Sequence, residues 1–130
     1  MRSMTVFVPG DPRPQGSKVG VLRPNGSVWV KDDSPGLAKW RNDVTFLARA
    51  AMRGAEPFPH PVAVELTFCM KGAAQQPPDI DKLSRSILDS LTVAQVYFDD
   101  GQVVQLRATK VGDRPHADRG VRITVLEVPS

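Results

Sequence analysis

The sequence holds a single cysteine, Cys69, which excludes an internal disulfide and, with no second thiolate, a cysteine zinc cage. A reducing, intracellular setting follows as the default, so a cytoplasmic location is expected. No apolar run approaches the roughly 20 residues that a membrane-spanning helix needs, and the start carries no signal-peptide core. No membrane partner is therefore expected. The two histidines, His60 and His116, both stand in proline-rich loops, which fits surface positions better than ligation. Internal repeats and long low-complexity tracts are absent too. What these absences leave is a single expected domain, residues 1–130, long enough to bury about two-thirds of its unfolded surface.

Nor is one sign of charge strongly in excess. Seventeen Lys and Arg against fourteen Asp and Glu give a net charge of +3, a modest figure for a nucleic-acid binder. The distribution says more. Arg2, Arg13, Lys18, Arg23 and Lys31 crowd the start, and Arg107, Lys110, Arg114, Arg119 and Arg122 the end, with most acids between them. A basic surface flanking an acidic pocket is one arrangement that fits. A well-solvated surface of mixed charge accounts for the composition equally well.

Residues 5–8 read as a short strand, and the Gly/Pro-rich stretch from Gly10 to Lys18 as a loop. Segments 19–22 and 28–31 flank Pro24-Asn25-Gly26-Ser27, and Asn-Gly predicts a hairpin with a two-residue turn. Ser34-Pro35 is expected to cap and open a helix whose buried stripe includes Leu37, Trp40, Val44, Leu47 and Ala48, with Gly54 as its stop. Trp40 lies on that stripe and reads as a core anchor. After the stiff connector Pro57-Phe58-Pro59-His60-Pro61, alternation over 62–69 predicts a strand. A second helix is expected over 80–91, with Ile80, Leu83, Ile87, Leu88 and Leu91 on its apolar stripe. Strands over 102–111 and 121–128 follow. This order predicts an α+β fold: a mixed, mostly antiparallel sheet carrying two helices.

The chemistry concentrates in Pro78-Asp79-Ile80-Asp81-Lys82-Leu83-Ser84-Arg85 and, a short way on, Asp99-Asp100-Gly101-Gln102. Asp79 precedes the second helix, where a carboxylate can cap free N–H groups and meet the positive end of the dipole. Capping does not explain why further acids return to the same place after a short turn. If Asp99 and Asp100 enter the next strand, period-2 alternation lets only one of them join Asp79 and Asp81. Three converging carboxylates repel one another unless a cation lies among them, and Mg²⁺ suits such oxygen donors. Arg85, one turn beyond Asp81, reads either as an ordinary i, i+4 partner or as a cation aimed at a phosphate. Asp89, a turn further, would hold Arg85 in place. Lys82 points about 100° from Asp81 and reaches the DNA backbone or solvent.

These residues resemble the signature of the RusA-type Holliday junction resolvases: D-x-D-N-L, a basic residue, L-D-A-L, a short turn, then D-D-x-Q-V. The matching stretches are Asp79-Ile80-Asp81-Lys82-Leu83, Leu88-Asp89-Ser90-Leu91 and Asp99-Asp100-Gly101-Gln102-Val103, without an insertion. The resemblance implies a small homodimeric, Mg²⁺-dependent endonuclease, often phage- or prophage-encoded, that cuts four-way DNA junctions by paired symmetric nicks. By position it makes Asp79, Asp81 and Asp100 the metal-binding catalytic carboxylates and Arg85 the catalytic basic residue. Three departures stand out: Lys82 in place of Asn, Arg85 where Lys is common, and Gln95 where Gly is common.

The expectation is thus a homodimer that resolves branched DNA in recombination and repair, with Lys18, Lys82, Arg114 and Arg119 gripping phosphates. The apolar strand after Pro61 and the terminal strands are candidates for carrying the sheet across the dimer axis. Two rivals stand beside this reading. One is a nuclease of wider taste that cuts flaps or forks; the other is a basic DNA-binding protein without activity. Metal-dependent nicking separates enzyme from binder.

Overall fold

A computed structural model describes residues 2–16, 18–32 and 36–129, with the side chains of 18–21 and 29–32 outside the description. Eight elements follow in order: β1 (Ser3–Pro9), β2 (Lys18–Leu22), β3 (Val28–Asp32), α1 (Leu37–Ala51), β4 (Val62–Cys69), α2 (Ile80–Val93), β5 (Val103–Val111) and β6 (Gly120–Glu127). Short 3₁₀ turns at Asp100–Gln102 and His116–Asp118 precede the last two strands. The fold is α+β, as its sequence predicts. A four-stranded mixed sheet runs in the order β1-β6-β4-β5, and β2 and β3 pair separately. β6 is antiparallel to both neighbours, whereas β4 and β5 are parallel and are joined through α2. A parallel pair needs such a crossover, because a tight hairpin can only reverse the chain.

β4 alternates as the sequence suggests: Val62, Val64, Leu66 and Phe68 are buried on the helix side. Val121, Ile123 and Val125 of β6 line the same layer. Against it pack Trp40, Val44 and Ala48 of α1 and Leu83, Ile87 and Leu91 of α2. Each large side chain so buried stabilises the fold by about 1.5–3 kcal/mol. Trp40, 4% exposed, is the core anchor expected of it. Connector residue Phe58 is fully buried, and its N–H donates to Val96 O at 2.8 Å.

Several local expectations are corrected. β4 lies inside the sheet, so the edges are β1 and β5, and the strand after Pro61 has no free side from which to extend it. The hairpin turn has three residues, not two. Gly26 N donates to Arg23 O and Arg23 N to Ser27 O, with Gly26 at φ 86°, because Pro24 has no N–H to close a two-residue turn on Asn25-Gly26 and instead suits the second position of a type I turn closed by a left-handed glycine. The cap expected at Ser34-Pro35 lies outside the described residues; α1 begins at Leu37 behind Gly36, whose φ is 75°.

Helix α2 ends in a Schellman arrangement: Val96 N donates to Leu91 O and Gln95 N to Thr92 O. Val96 and Leu91 are both fully buried, so the reversal is pinned by the core. Gln95 occupies the position of positive φ, 58°, that glycine takes without cost.

Candidate active site

α2 leans over the edge strand β5 without covering it. Leu106 and Ala108 stand in register with Val64 and Leu66, on the helix side of the sheet, yet Leu106 remains 44% exposed. The gap above them is a cavity of about 430 Å³ lined by Ile80, Asp81, Ser84, Arg85, Leu88, Asp89, Asp100, Leu106 and Ala108. Asp81, Arg85 and Asp89 recur every fourth residue, so helical spacing sets them in one row along the wall. Ile80, expected on the buried stripe, is exposed at this cavity instead, while Leu88 both packs against the core and lines the cavity.

Asp79 occupies the N-cap position of α2 in extended backbone, is exposed, and makes no side-chain cap hydrogen bond. The capping explanation for this carboxylate therefore fails. It adjoins the cavity in sequence through Ile80 without lining it.

Asp99 and Asp100 do not begin a strand. Asp99 caps the 3₁₀ turn, accepting from Gly101 N at 3.3 Å, and the strand starts only at Val103. The tight turn overrides the two-sided alternation expected there and sends Asp100 into the cavity. The neighbouring Asp99 carboxyl, through a hydrogen bond and its charge, holds Asp100 above its ordinary value, and the charge of Asp89 adds to this.

Gln102 holds this turn with all of its hydrogen-bonding capacity. Its Oε1 accepts from Phe98 N (2.8 Å) and Asp99 N (3.0 Å), and its Nε2 donates to Phe58 O (2.7 Å) and His60 O (3.0 Å). A primary amide offers two donors and two acceptor sites, so no other side chain of this size ties both strands of backbone. The Asp99-x-x-Gln102 spacing is that of a capping box and is the local signal that could have found this role, whereas Phe58 and His60 lie more than 40 residues away and leave none.

Arg85 makes no ion pair among the described residues. Asp89 does not hold it as expected: Arg41 of α1 approaches Asp89 at 3.9 Å, both about one-third exposed. Such a pair contributes under about 1 kcal/mol. Beneath the row, Ser84 Oγ donates to Ile80 O (2.8 Å) and Tyr97 OH to Leu88 O (3.0 Å). Burial pushes the Tyr97 phenol far above its usual value, so it stays a donor.

Among the described residues, no three His, Cys, Asp or Glu side chains are gathered as a ready-made metal cage. The donor chemistry nonetheless fits magnesium, which binds through one or two carboxylates and keeps several waters. Asp81 and Asp100 facing one cavity, with Asp79 beside it and its carboxylate making no cap hydrogen bond, supply hard oxygen donors of that kind.

Of the four DNA-contact candidates, Lys18 has its side chain outside the described residues. Lys82 is half-buried, and its carbonyl accepts from Gln15 N. Arg114 is exposed. Arg119 is turned largely inward: its side chain is 16% exposed, bonds Arg114 O at 3.1 Å and approaches Asp11 at 3.5 Å. It holds a loop, which leaves little of it for a phosphate. His60 and His116 are exposed, as expected.

A basic α+β protein with carboxylates and an arginine around one cavity has the equipment of a phosphodiester-cutting enzyme. The profile of the family described as Endodeoxyribonuclease RusA matches residues 9–125, nearly the full length. The chain belongs to the RusA endodeoxyribonuclease family. No curated protein matches it at a significant level. No helix among the described residues is long and apolar enough to cross a membrane.

Proposed function

We propose that this protein is a Mg²⁺-dependent endonuclease that resolves four-way DNA junctions by paired nicks, working as a homodimer in recombination and repair. The observation that carries the reading is the cavity between α2 and β5, where Asp81, Arg85, Asp89 and Asp100 meet over the apolar floor of Leu106 and Ala108. Membership of the endodeoxyribonuclease family supports the same chemistry. Asp79, Asp81 and Asp100 are the residues that would hold Mg²⁺, which when bound polarises a phosphoryl oxygen and makes water acidic enough to attack at neutral pH.

The chain's own residues supply the rest. Arg85, unpaired by any carboxylate among the described residues, offers its guanidinium to charge that develops on the phosphoryl oxygens. Leu106 and Ala108 exclude water from one side, which strengthens that interaction. Gln102 fixes the backbone on either side of Asp100. Exposed Arg114 and the basic N-terminal stretch around Lys18 would take phosphates remote from the cut, with Lys82 and Arg119 in lesser parts. Two nicks related by symmetry call for two such cavities related by the same axis, and β1 and β5 are the sheet edges from which a dimer would build.

The test is competition. Labelled four-way junction, flap and fork of equal length are offered together in Mg²⁺. Preferential cutting of the junction at opposed positions is expected; equal cutting of all three would make this a general branched-DNA nuclease. Binding of all three without cutting would leave a DNA-binding protein.

A further inference from the structure

A second cavity, of about 340 Å³, opens on the other side of the α2 N-terminus. Arg13, Lys71 and Lys110 line it, with Asp11 as its one carboxylate. That carboxylate is already approached by Arg119 at 3.5 Å, and neither Arg13 nor Lys71 makes an ion pair among the described residues. Lys71 and Lys110 thus face a space whose carboxylate Arg119 already approaches, and Arg13 stands at its rim with its guanidinium nearest Gly36.

The walls are fixed in advance. Lys110 Nζ donates to Gln76 O and Pro78 O, both at 2.6 Å, tying the loop before Asp79 to the edge strand. Its third N–H remains for a ligand. Asp113 N donates to Gly72 O and Arg114 N to Met70 O, so the loop is stitched down at both ends. Gly112 lies so close to that loop that a Cβ there would stand 2.5 Å from Ala74 N. On the facing wall, Ser86 Oγ donates to Arg13 O at 3.0 Å and anchors the segment carrying Arg13 to α2.

The two cavities share one track. Leu106 and Ala108 floor the acidic cavity, and Lys110, the next residue on the same face of β5, enters the basic one. Two residues of strand advance about 7 Å, comparable with the separation of neighbouring phosphates on one nucleic-acid strand. We propose that the basic cavity is a phosphate subsite that seats a backbone phosphate adjacent to the one being cut, with Lys110 as its fixed cation, Lys71 as a second and Arg13 reaching it from the rim. The inference rests on the nuclease reading for its substrate, and gives that reading a direction along the strand.

The experiment measures junction binding in EDTA as a function of KCl, for wild type, Lys71→Gln and the Arg13→Gln/Lys71→Gln pair. The log–log slope flattens by about 0.9 for each phosphate no longer neutralised, so with one phosphate seated per cavity the pair should flatten it by up to about 0.9 for each protomer bound, and the single variant by part of that. In Mg²⁺, the single-turnover rate at saturating junction should fall far less than the affinity does. An unchanged slope in both variants overturns the subsite, and so does a full loss of rate at unchanged slope. If wild type cuts no DNA yet the slopes flatten as stated, the subsite stands and the nuclease reading falls. Inorganic phosphate provides the last arm: amide shifts at Gly72 and Ala73 at millimolar phosphate, with no change of slope for DNA, would assign the cavity to a free anion and overturn the strand track.

Discussion

Gln102→Ala removes a side chain that ties the Asp99–Asp100 turn to the Phe58–His60 connector. Four hydrogen bonds go at once, each with a net worth of about 0.5–1.5 kcal/mol. Three of them are exposed, so water replaces them at small cost, whereas that to Phe58 O is part-buried. The sum expected is about 1–2 kcal/mol, or roughly 3–5 °C of melting temperature per kcal/mol for a chain of this length. Activity should suffer more than stability. Asp100 rides on the released turn, and a displacement of about 1 Å costs on the order of a hundredfold in rate. Gln102→Glu keeps the acceptors, loses both donors and adds an acid beside Asp99 and Asp100, so it should be at least as damaging. Thermal melting in EDTA and single-turnover junction cleavage in Mg²⁺ measure the two effects. A Gln102→Ala protein with wild-type melting temperature and wild-type rate would refute the claim that this amide positions Asp100.

Three further outcomes follow from the same geometry. Arg85→Ala should lower the single-turnover rate by about 10²–10³, the cost of losing one preorganised donor to developing charge, with little loss of binding; Arg85→Lys should restore part of it, and a change confined to affinity would make Arg85 a docking residue. Gln95→Gly should stabilise the fold by about 0.5–1 kcal/mol in urea unfolding, since a left-handed side-chain-bearing residue costs about 1–2 kcal/mol and the freer unfolded chain takes back part; a destabilised variant would contradict the strain. Asp99→Asn should return the Asp100 carboxyl toward its ordinary range in an NMR titration without metal. Because Asp100 is raised in the folded protein, the acid pair weakens the fold as pH rises through that titration, so the stability gained by Asp99→Asn should be present at pH 7 and vanish in acid. A gain that grew on acidification would contradict the sign.

The elements were legible where burial has a period. Leu83, Ile87 and Leu91 mark α2, and the alternation of Val62, Val64, Leu66 and Phe68 marks β4, because one face of each meets the core. Expected strand and helix limits fall within two residues of those observed. Strand order was not legible: β6 enters between β1 and β4 through pairings more than 50 residues apart. The acidic motif places Asp81, Arg85 and Asp100 at one cavity, since helix spacing and a short return are local facts. The supports of that cavity are long-range. Gln102 reaches Phe58, Arg41 reaches Asp89 and Lys110 reaches Pro78, and none of these carries a signal in its neighbouring residues. Local geometry also defeated one expectation, since a 3₁₀ turn capped by Asp99 replaced the strand entry at Asp100.

The central claim is that carboxylates beside and within the α2–β5 cavity cut four-way DNA with magnesium, and Asp81→Asn tests it most directly. Wild type and variant are each saturated with a synthetic junction in EDTA, affinity is measured, and Mg²⁺ is then added for a single turnover. The expected result is paired nicks in opposed strands by wild type only after Mg²⁺. The variant should cut undetectably yet bind as well or more tightly, because losing one negative charge weakens the ion's seat while easing repulsion of the phosphates. A folded Asp81→Asn protein that cuts near the wild-type rate, or a wild type that cuts equally well in EDTA, would contradict the account.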